Sequence, residues 1–191
     1  MRNYSLIICF CFSRLFISAQ VNYPRDYFGS PVKIPITLAG NFGEIRPNHF
    51  HAGFDIRTNG REGLPVYAVA DGYVSRIKIS PVGYGKALYI THPNGYVSVY
   101  GHLKVFNTAI QAKATTFQNL LQSFELDTLI NRTLLPVKKG ELIGFSGSTG
   151  SSQAPHLHFE IREEQTEMPV NPYFFGYKVD DLPMMRFGAS Q

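Results

Sequence analysis

Between residues 40 and 172 the apolar runs are mostly short, rich in β-branched and aromatic residues, and closed by Gly, Pro, Asn or Asp. Runs of that length suit pleated strands joined by tight turns better than helices with a buried stripe. The fold class that follows is mainly β, with antiparallel pairing. Residues 66–70, Asp71-Gly72 and residues 73–77 read as a hairpin closed by a two-residue turn. Residues 87–91, Pro93-Asn94-Gly95 and residues 96–100 read as a second hairpin. Two further strands, 141–146 and 157–162, flank a Gly/Ser-rich loop over 147–155. One stretch departs from the pattern. Within 107–136, Ile110, Phe117, Leu120, Leu121 and Phe124 recur at roughly helical spacing. This predicts a helical insertion around 108–124 whose apolar face packs on the β core.

Residues 1–19 have the layout of a secretory signal: Arg2, an apolar run over 6–12, and small residues at Ser18-Ala19 before Gln20. Arg14 interrupts the apolar run, which falls short of the roughly 20 residues that a spanning helix needs. The expectation is export to the periplasm or outside the cell, with no stable membrane insertion after cleavage. Both cysteines, Cys9 and Cys11, lie in that segment, so residues 20–191 contain no thiol for a disulfide, a metal or catalysis. Any metal there takes nitrogen and oxygen donors. The expected organisation is one domain over 20–175, with core 40–172 and insertion 107–136, followed by a tail over 176–191. The charge of +4 drops to +2 once Arg2 and Arg14 are removed, 16 basic against 14 acidic residues, and no Lys/Arg cluster interleaves with aromatics. That balance excludes the electrostatic footprint of a nucleic-acid binder.

Of six histidines, four fall in three short segments: His51-Ala52-Gly53-Phe54-Asp55, Tyr100-Gly101-His102 and His156-Leu157-His158. On a strand, residues two or four apart share a face, so His51 can converge with Asp55, and His156 with His158. Imidazole and carboxylate are zinc donors, and a hydrolytic site needs three protein ligands with a fourth position left open. Four histidines and an aspartate exceed that number, which leaves some of them to hold water, move protons or stabilise an oxyanion. Ligand chemistry alone does not choose among them.

In this order the segments resemble the lysostaphin-type zinc endopeptidases of bacterial cell walls, whose motifs are H-x-x-x-D and, much later, H-x-H. The resemblance covers roughly residues 41–172, including Gly-Leu-Pro-Val-Tyr-Ala-Val-Ala-Asp-Gly (63–72), Val-Lys-Lys-Gly-Glu-Leu-Ile-Gly (137–144) and Pro-His-Leu-His-Phe-Glu-Ile-Arg (155–162). It implies a barrel-sandwich hybrid of antiparallel strands, a duplicated hybrid motif. It also implies one Zn2+ per chain, held by His51, Asp55 and His158, with His102 and His156 flanking a zinc-bound water that acts as nucleophile. The implied activity is hydrolysis of the peptide cross-links of peptidoglycan, whose peptide stems are the expected partner. The alternative is a domain that binds cell wall or activates another hydrolase without cutting. Relatives with a tyrosine shortly before the first motif use it as a further oxyanion donor; this chain has Phe42 there. The 107–136 stretch is also longer than the family's usual connection.

The remaining polar candidates have separate readings. His49 is expected in an exposed loop and His92 in a turn beside Pro93. Glu160 shares a strand face with His156 and His158, where it either orients a ligand histidine or pairs with an Arg or Lys.

Overall fold

The computed structural model describes residues 22–180, so the signal expected over 1–19 and the residues beyond 180 lie outside it. Within the described residues the elements run β1 (Leu38–Gly40), β2 (Phe54–Arg57), β3 (Pro65–Tyr67), β4 (Gly72–Ile79), β5 (Lys86–Thr91), β6 (Tyr96–Gly101) and β7 (Leu103–Phe106). There follow α1 (Thr108–Leu121), β8 (Leu126–Leu129), β9 (Pro136–Val137), β10 (Leu142–Ser146), β11 (His156–Glu163), β12 (Pro169–Val170) and a short 3-10 turn at Pro172–Phe175. The large sheet has the order β1-β2-β11-β6-β5-β4-β8, with β12 added beside β11 and β9 beside β4. A smaller sheet has the order β3-β10-β7. The mainly β, antiparallel fold class expected from the sequence is therefore the fold observed.

The core lies between the two sheets and is built by strand alternation. Along β11, Leu157, Phe159 and Ile161 are fully buried on the core face, together with Phe54 and Ile56 of the neighbouring β2. Period two then sends His156, His158 and Glu160 to the opposite face. The segment before β1 also joins the core through Phe28, Val32 and Ile36.

Two strand predictions fare differently. The hairpin of β5 and β6 forms as expected, with Leu88 opposite Tyr100 and Thr91 opposite Val97. The one expected around Asp71-Gly72 does not. Strand β3 pairs with β10 in the small sheet, whereas β4 pairs with β5, β8 and β9 in the large one. Val66, Ala68, Val69 and Ala70 are all buried, so the chain crosses the core there instead of alternating inside and out. Its backbone bonds go to partners far along the chain: the carbonyl of Ala68 accepts from Gly140, and that of Val69 from Gly29. Gly72 also lacks the positive φ that a two-residue I′ turn requires.

The helix forms where the sequence predicts one, capped at its N-terminus by the Asn107 side chain, which accepts from the Ile110 amide. Its face is only partly buried. Ile110 and Ala114 are buried and Phe117 packs against the core, but Leu120, Leu121 and Phe124 are exposed. The correction has a geometric cause, because the helix packs against β7 and β8, each the end strand of its sheet, and its buried residues are confined to the first half. Among the described residues no helix is long and apolar enough to cross a membrane.

Candidate metal centre

The site is built on the pairing of β2 with β11. Their antiparallel register sets Asp55 directly opposite His158, and β6 places Gly101 on the other side of His158. His51 does not lie on the same strand as Asp55, as the spacing suggested. It ends a flap over 41–51 that folds back on itself, with the His51 amide donating to Glu44 and its carbonyl accepting from Gly43. The flap thus delivers the His51 ring to Asp55 on β2.

Three donor atoms meet. Nε2 of His51 lies 3.0 Å from Oδ1 of Asp55 and 3.1 Å from Nδ1 of His158, which is itself 2.9 Å from the same Oδ1. Donors bound at about 2.0–2.2 Å to one tetrahedral ion stand roughly 3.3 Å apart, so this triangle is close to the size such an ion requires. The far nitrogens are committed elsewhere. Nδ1 of His51 lies 2.7 Å from the Asn41 carbonyl, which can only accept, so that nitrogen carries the proton and Nε2 turns its lone pair inward. Nε2 of His158 donates across 2.7 Å to Oε1 of Glu160.

Glu160 has no exposed surface and is paid for by three partners: His158, Arg162 at 2.6 Å on Oε2, and the Tyr84 hydroxyl at 2.5 Å on Oε1. Burial raises its pKa, but the His158 and Arg162 contacts outweigh this and bring it down to about 2. Both readings of Glu160 therefore hold, since it orients a histidine and pairs with an arginine. His158 lies between two carboxylates. Burial lowers its pKa, and the hydrogen bonds to Asp55 and Glu160 raise it to about 9. For Asp55 burial again opposes the charge, but the close contacts of Oδ1 with the His156, His158 and His51 rings hold its carboxyl well below the usual carboxylate range. A cation seated in the triangle would take the place of the proton that His158 Nδ1 shares with Asp55, and the donor set of one carboxylate and two imidazoles fits a divalent metal.

His102 and His156 stand beside the triangle, their ring centroids 4.6 Å apart. His102 occupies the single step between β6 and β7 with φ +57°, a left-handed conformation that costs a non-glycine residue on the order of 1 kcal/mol. The kink separates the two strands and directs the ring into the site. Its Nδ1 donates to the Thr149 carbonyl at 2.8 Å, leaving Nε2 as an acceptor; burial, partly offset by that bond, lowers its pKa to about 4. His156 likewise donates from Nδ1 to the Ala154 carbonyl at 2.8 Å and sets Nε2 3.3 Å from Oδ1 of Asp55. All five residues singled out in the sequence meet at one place.

Other polar residues depart from expectation or were not foreseen. His49 is exposed, as predicted, 2.7 Å from the Asn48 side chain. His92 is not a surface turn residue but is 2% exposed, held between the Asp71 carbonyl and the Ser98 hydroxyl. Tyr84 and Arg46 were not legible as site residues. The Tyr84 ring stacks on His158 at 4.9 Å, and Arg46 reaches Oδ2 of Asp55 at 3.1 Å. Tyr84 lies in a turn far from the site histidines in the chain, where the Gly83-Tyr84-Gly85 spacing signals only the turn, and Arg46 lies in the flap that ends at His51, where no residue pattern marks its contact with Asp55. Phe42, at the position where some relatives have a tyrosine, packs against the core.

A protein-family model, Peptidase family M23, matches residues 49–118 and 126–172. The DD-carboxypeptidase/endopeptidase Mpg of Neisseria meningitidis serogroup B is 38% identical over 122 residues, 64% of this chain and 22% of the relative. The murein hydrolase activator NlpD of Salmonella typhimurium is 34% identical over 132 residues, 69% of this chain and 27% of the relative. This chain thus spans roughly a quarter of the length of either curated relative. Among solved structures, the catalytic domain of the antimicrobial peptidase lysostaphin from Staphylococcus simulans superposes with a TM-score of 0.55 at 25% identity, covering 73% of this chain and 91% of that one. The family match takes in all five clustered residues and the strands that carry them, and on it the chain belongs to peptidase family M23.

Proposed function

We propose that this protein is an exported zinc endopeptidase that hydrolyses the peptide cross-links of peptidoglycan. The observation that carries the reading is the convergence of His51 Nε2, Asp55 Oδ1 and His158 Nδ1, each 2.9–3.1 Å from the other two, with His102 and His156 alongside. In this reading His51, Asp55 and His158 hold the metal. Bound there, Zn2+ supplies Lewis-acid polarisation of the scissile carbonyl and lowers the pKa of the attacking water.

The remaining steps belong to the protein. His102 is kept neutral by burial, and with Nδ1 donated to Thr149 it offers Nε2 as a proton acceptor for the attacking water. His156, anchored through Nδ1 to Ala154, sets Nε2 beside Oδ1 of Asp55, where it aligns the water and stabilises the developing charge, while the proton taken up by His102 passes to the leaving amine. Glu160 and Tyr84 keep the His158 ring fixed through the cycle. No carboxylate base is needed. The substrate class follows from the family and from relatives such as Mpg, and the layout of residues 1–19 supports a periplasmic or extracellular address.

A second reading is that the domain activates another hydrolase without cutting, which the likeness to NlpD favours. Retention of all five site residues weighs against it. Purified peptidoglycan incubated with the protein should release fragments identifiable by mass spectrometry, and a chelator should abolish the release. An intact metal-loaded protein that releases nothing, yet stimulates a separate hydrolase, would establish the activator reading instead.

A further inference from the structure

The two oxygens of Asp55 have divided roles. Oδ1 faces His51, His158 and His156 at 3.0, 2.9 and 3.3 Å, whereas Oδ2 accepts from Nη2 of Arg46 at 3.1 Å. A carboxylate left to rotate about its Cβ–Cγ bond can offer a cation one oxygen or both. A charge-assisted bond on the outer oxygen removes that freedom.

Arg46 is in turn built into place. Its Nη2 also reaches Oε2 of Glu44 at 3.1 Å, and Oε1 of Glu44 accepts from the Asn41 amide at 2.7 Å, closing the base of the flap. The flap is pinned again by the Arg46 amide, which donates to the His49 carbonyl at 2.9 Å. Beneath the pair lies Gly40 of β1, where a Cβ atom would collide with both Asp55 Oδ2 and Arg46 Nη2. The guanidinium also leaves its buried Nε without a partner. An unpaired buried donor is costly, so this placement is not one that satisfies Arg46 best. It is one that satisfies Asp55.

We infer that Arg46 is a positioning residue for Asp55, fixing the carboxylate so that Oδ1 alone faces the metal position. The inference rests on the reading of His51, Asp55 and His158 as a metal site. It makes the flap more than a carrier of His51, since the same segment sets the denticity of the neighbouring ligand. Outer contacts of this kind change metal affinity by about 10–100-fold when removed.

The test compares the full chain with Arg46→Met and Arg46→Lys, each stripped of metal, by titration with Zn2+ against a competing chelator and with Co2+ followed by visible absorption. Arg46→Met should bind Zn2+ about 10–100-fold more weakly. Its Co2+ bands should weaken, as expected when Asp55 turns to give both oxygens and raises the coordination number. Arg46→Lys, which restores one charged donor, should recover part of both signals. Thermal unfolding of the metal-free forms shows which variants are folded, and Arg46→Gln replaces Arg46→Met for the same two readouts if that variant is not. Affinity and spectrum unchanged in the folded neutral variant would overturn the inference. A wild-type protein that takes up neither Zn2+ nor Co2+ would instead overturn the metal-site reading on which it rests.

Discussion

The Nε2 atom of His158 and the Oε1 atom of Glu160 lie 2.7 Å apart in a pocket where Glu160 has no exposed surface. Two residues apart on β11, they share its outer face, and the carboxylate reaches the one ring nitrogen that does not point at Asp55. This fixes the tilt of the ring that the proposed function makes a metal ligand. Replacing Glu160 by Gln keeps the volume but removes the charge, and metal affinity should fall about 10–100-fold. Glu160→Ala should also destabilise the fold by about 3–5 kcal/mol, because Arg162 is left without its carboxylate in a largely buried position. Zinc competition and urea unfolding measure the two effects separately.

His156 and His158 point from the same face of one strand, but their environments predict different losses. His158 Nδ1 belongs to the 2.9–3.1 Å triangle, whereas His156 Nε2 approaches Asp55 only to 3.3 Å. His158→Ala should lose the metal, as read by elemental analysis. His156→Ala should keep it and lower peptidoglycan cleavage by about 10²–10⁴-fold. Zinc retained in the first variant and lost in the second would reverse the assignment.

His92 should make the fold sensitive to acid. Burial lowers its pKa from 6.5 to about 4, despite its hydrogen bond to the Asp71 carbonyl. Between those values the unfolded chain binds the proton and the folded one does not, so stability is fully present above pH 6.5 and declines as pH falls to 4. The decline amounts to about 3 kcal/mol, from roughly 1.36 kcal/mol per pKa unit. His92→Gln should be less stable at pH 7, yet its deficit relative to wild type should shrink by a similar amount as pH falls to 4. Urea unfolding of both proteins across that range, with metal chelated, is the measurement; a deficit independent of pH would remove His92 as the cause.

Truncation should be costly within α1 and nearly neutral just beyond its C-terminus. Ile110 is 1% exposed, and Ile110→Ala should cost about 2–5 kcal/mol through lost burial and the cavity left behind. Phe124 is 94% exposed, and Phe124→Ala should change stability by less than about 0.5 kcal/mol. Paired unfolding curves decide this, and a large loss at Phe124 would mean that the exposed end packs on something in solution.

Much of this site could be read locally. Alternation along residues 156–162 places His156, His158 and Glu160 on one face and Leu157, Phe159 and Ile161 on the other, as the structure has it. The hairpin of β5 and β6 was equally legible, because its turn residues and its alternation agree. Reading failed where burial stops alternating. Val66 to Ala70 looked like half of a hairpin, but the segment crosses between sheets, and which sheet it joins depends on β10, more than seventy residues later. His92 looked like a turn residue because it precedes Pro93, and the partner that buries its ring, Ser98, lies across the hairpin.

The sequence by itself determined the strand-rich class, the donor types available to a metal among residues 20–191, and the shared face of the β11 histidines. These are consequences of residue chemistry and of a two-residue period, both of which act within a few positions. Only the tertiary structure decided that Asp55 meets His158 across the β2–β11 register, that Glu160 is closed in by Tyr84 and Arg162, and that Arg46 secures the outer oxygen of Asp55. Asp55 and His158 stand 103 residues apart and Tyr84 and Glu160 76, while Arg46, only nine residues from Asp55, meets it because the intervening flap folds back; pairing between remote strands is set by how the whole core is buried, which no local pattern encodes.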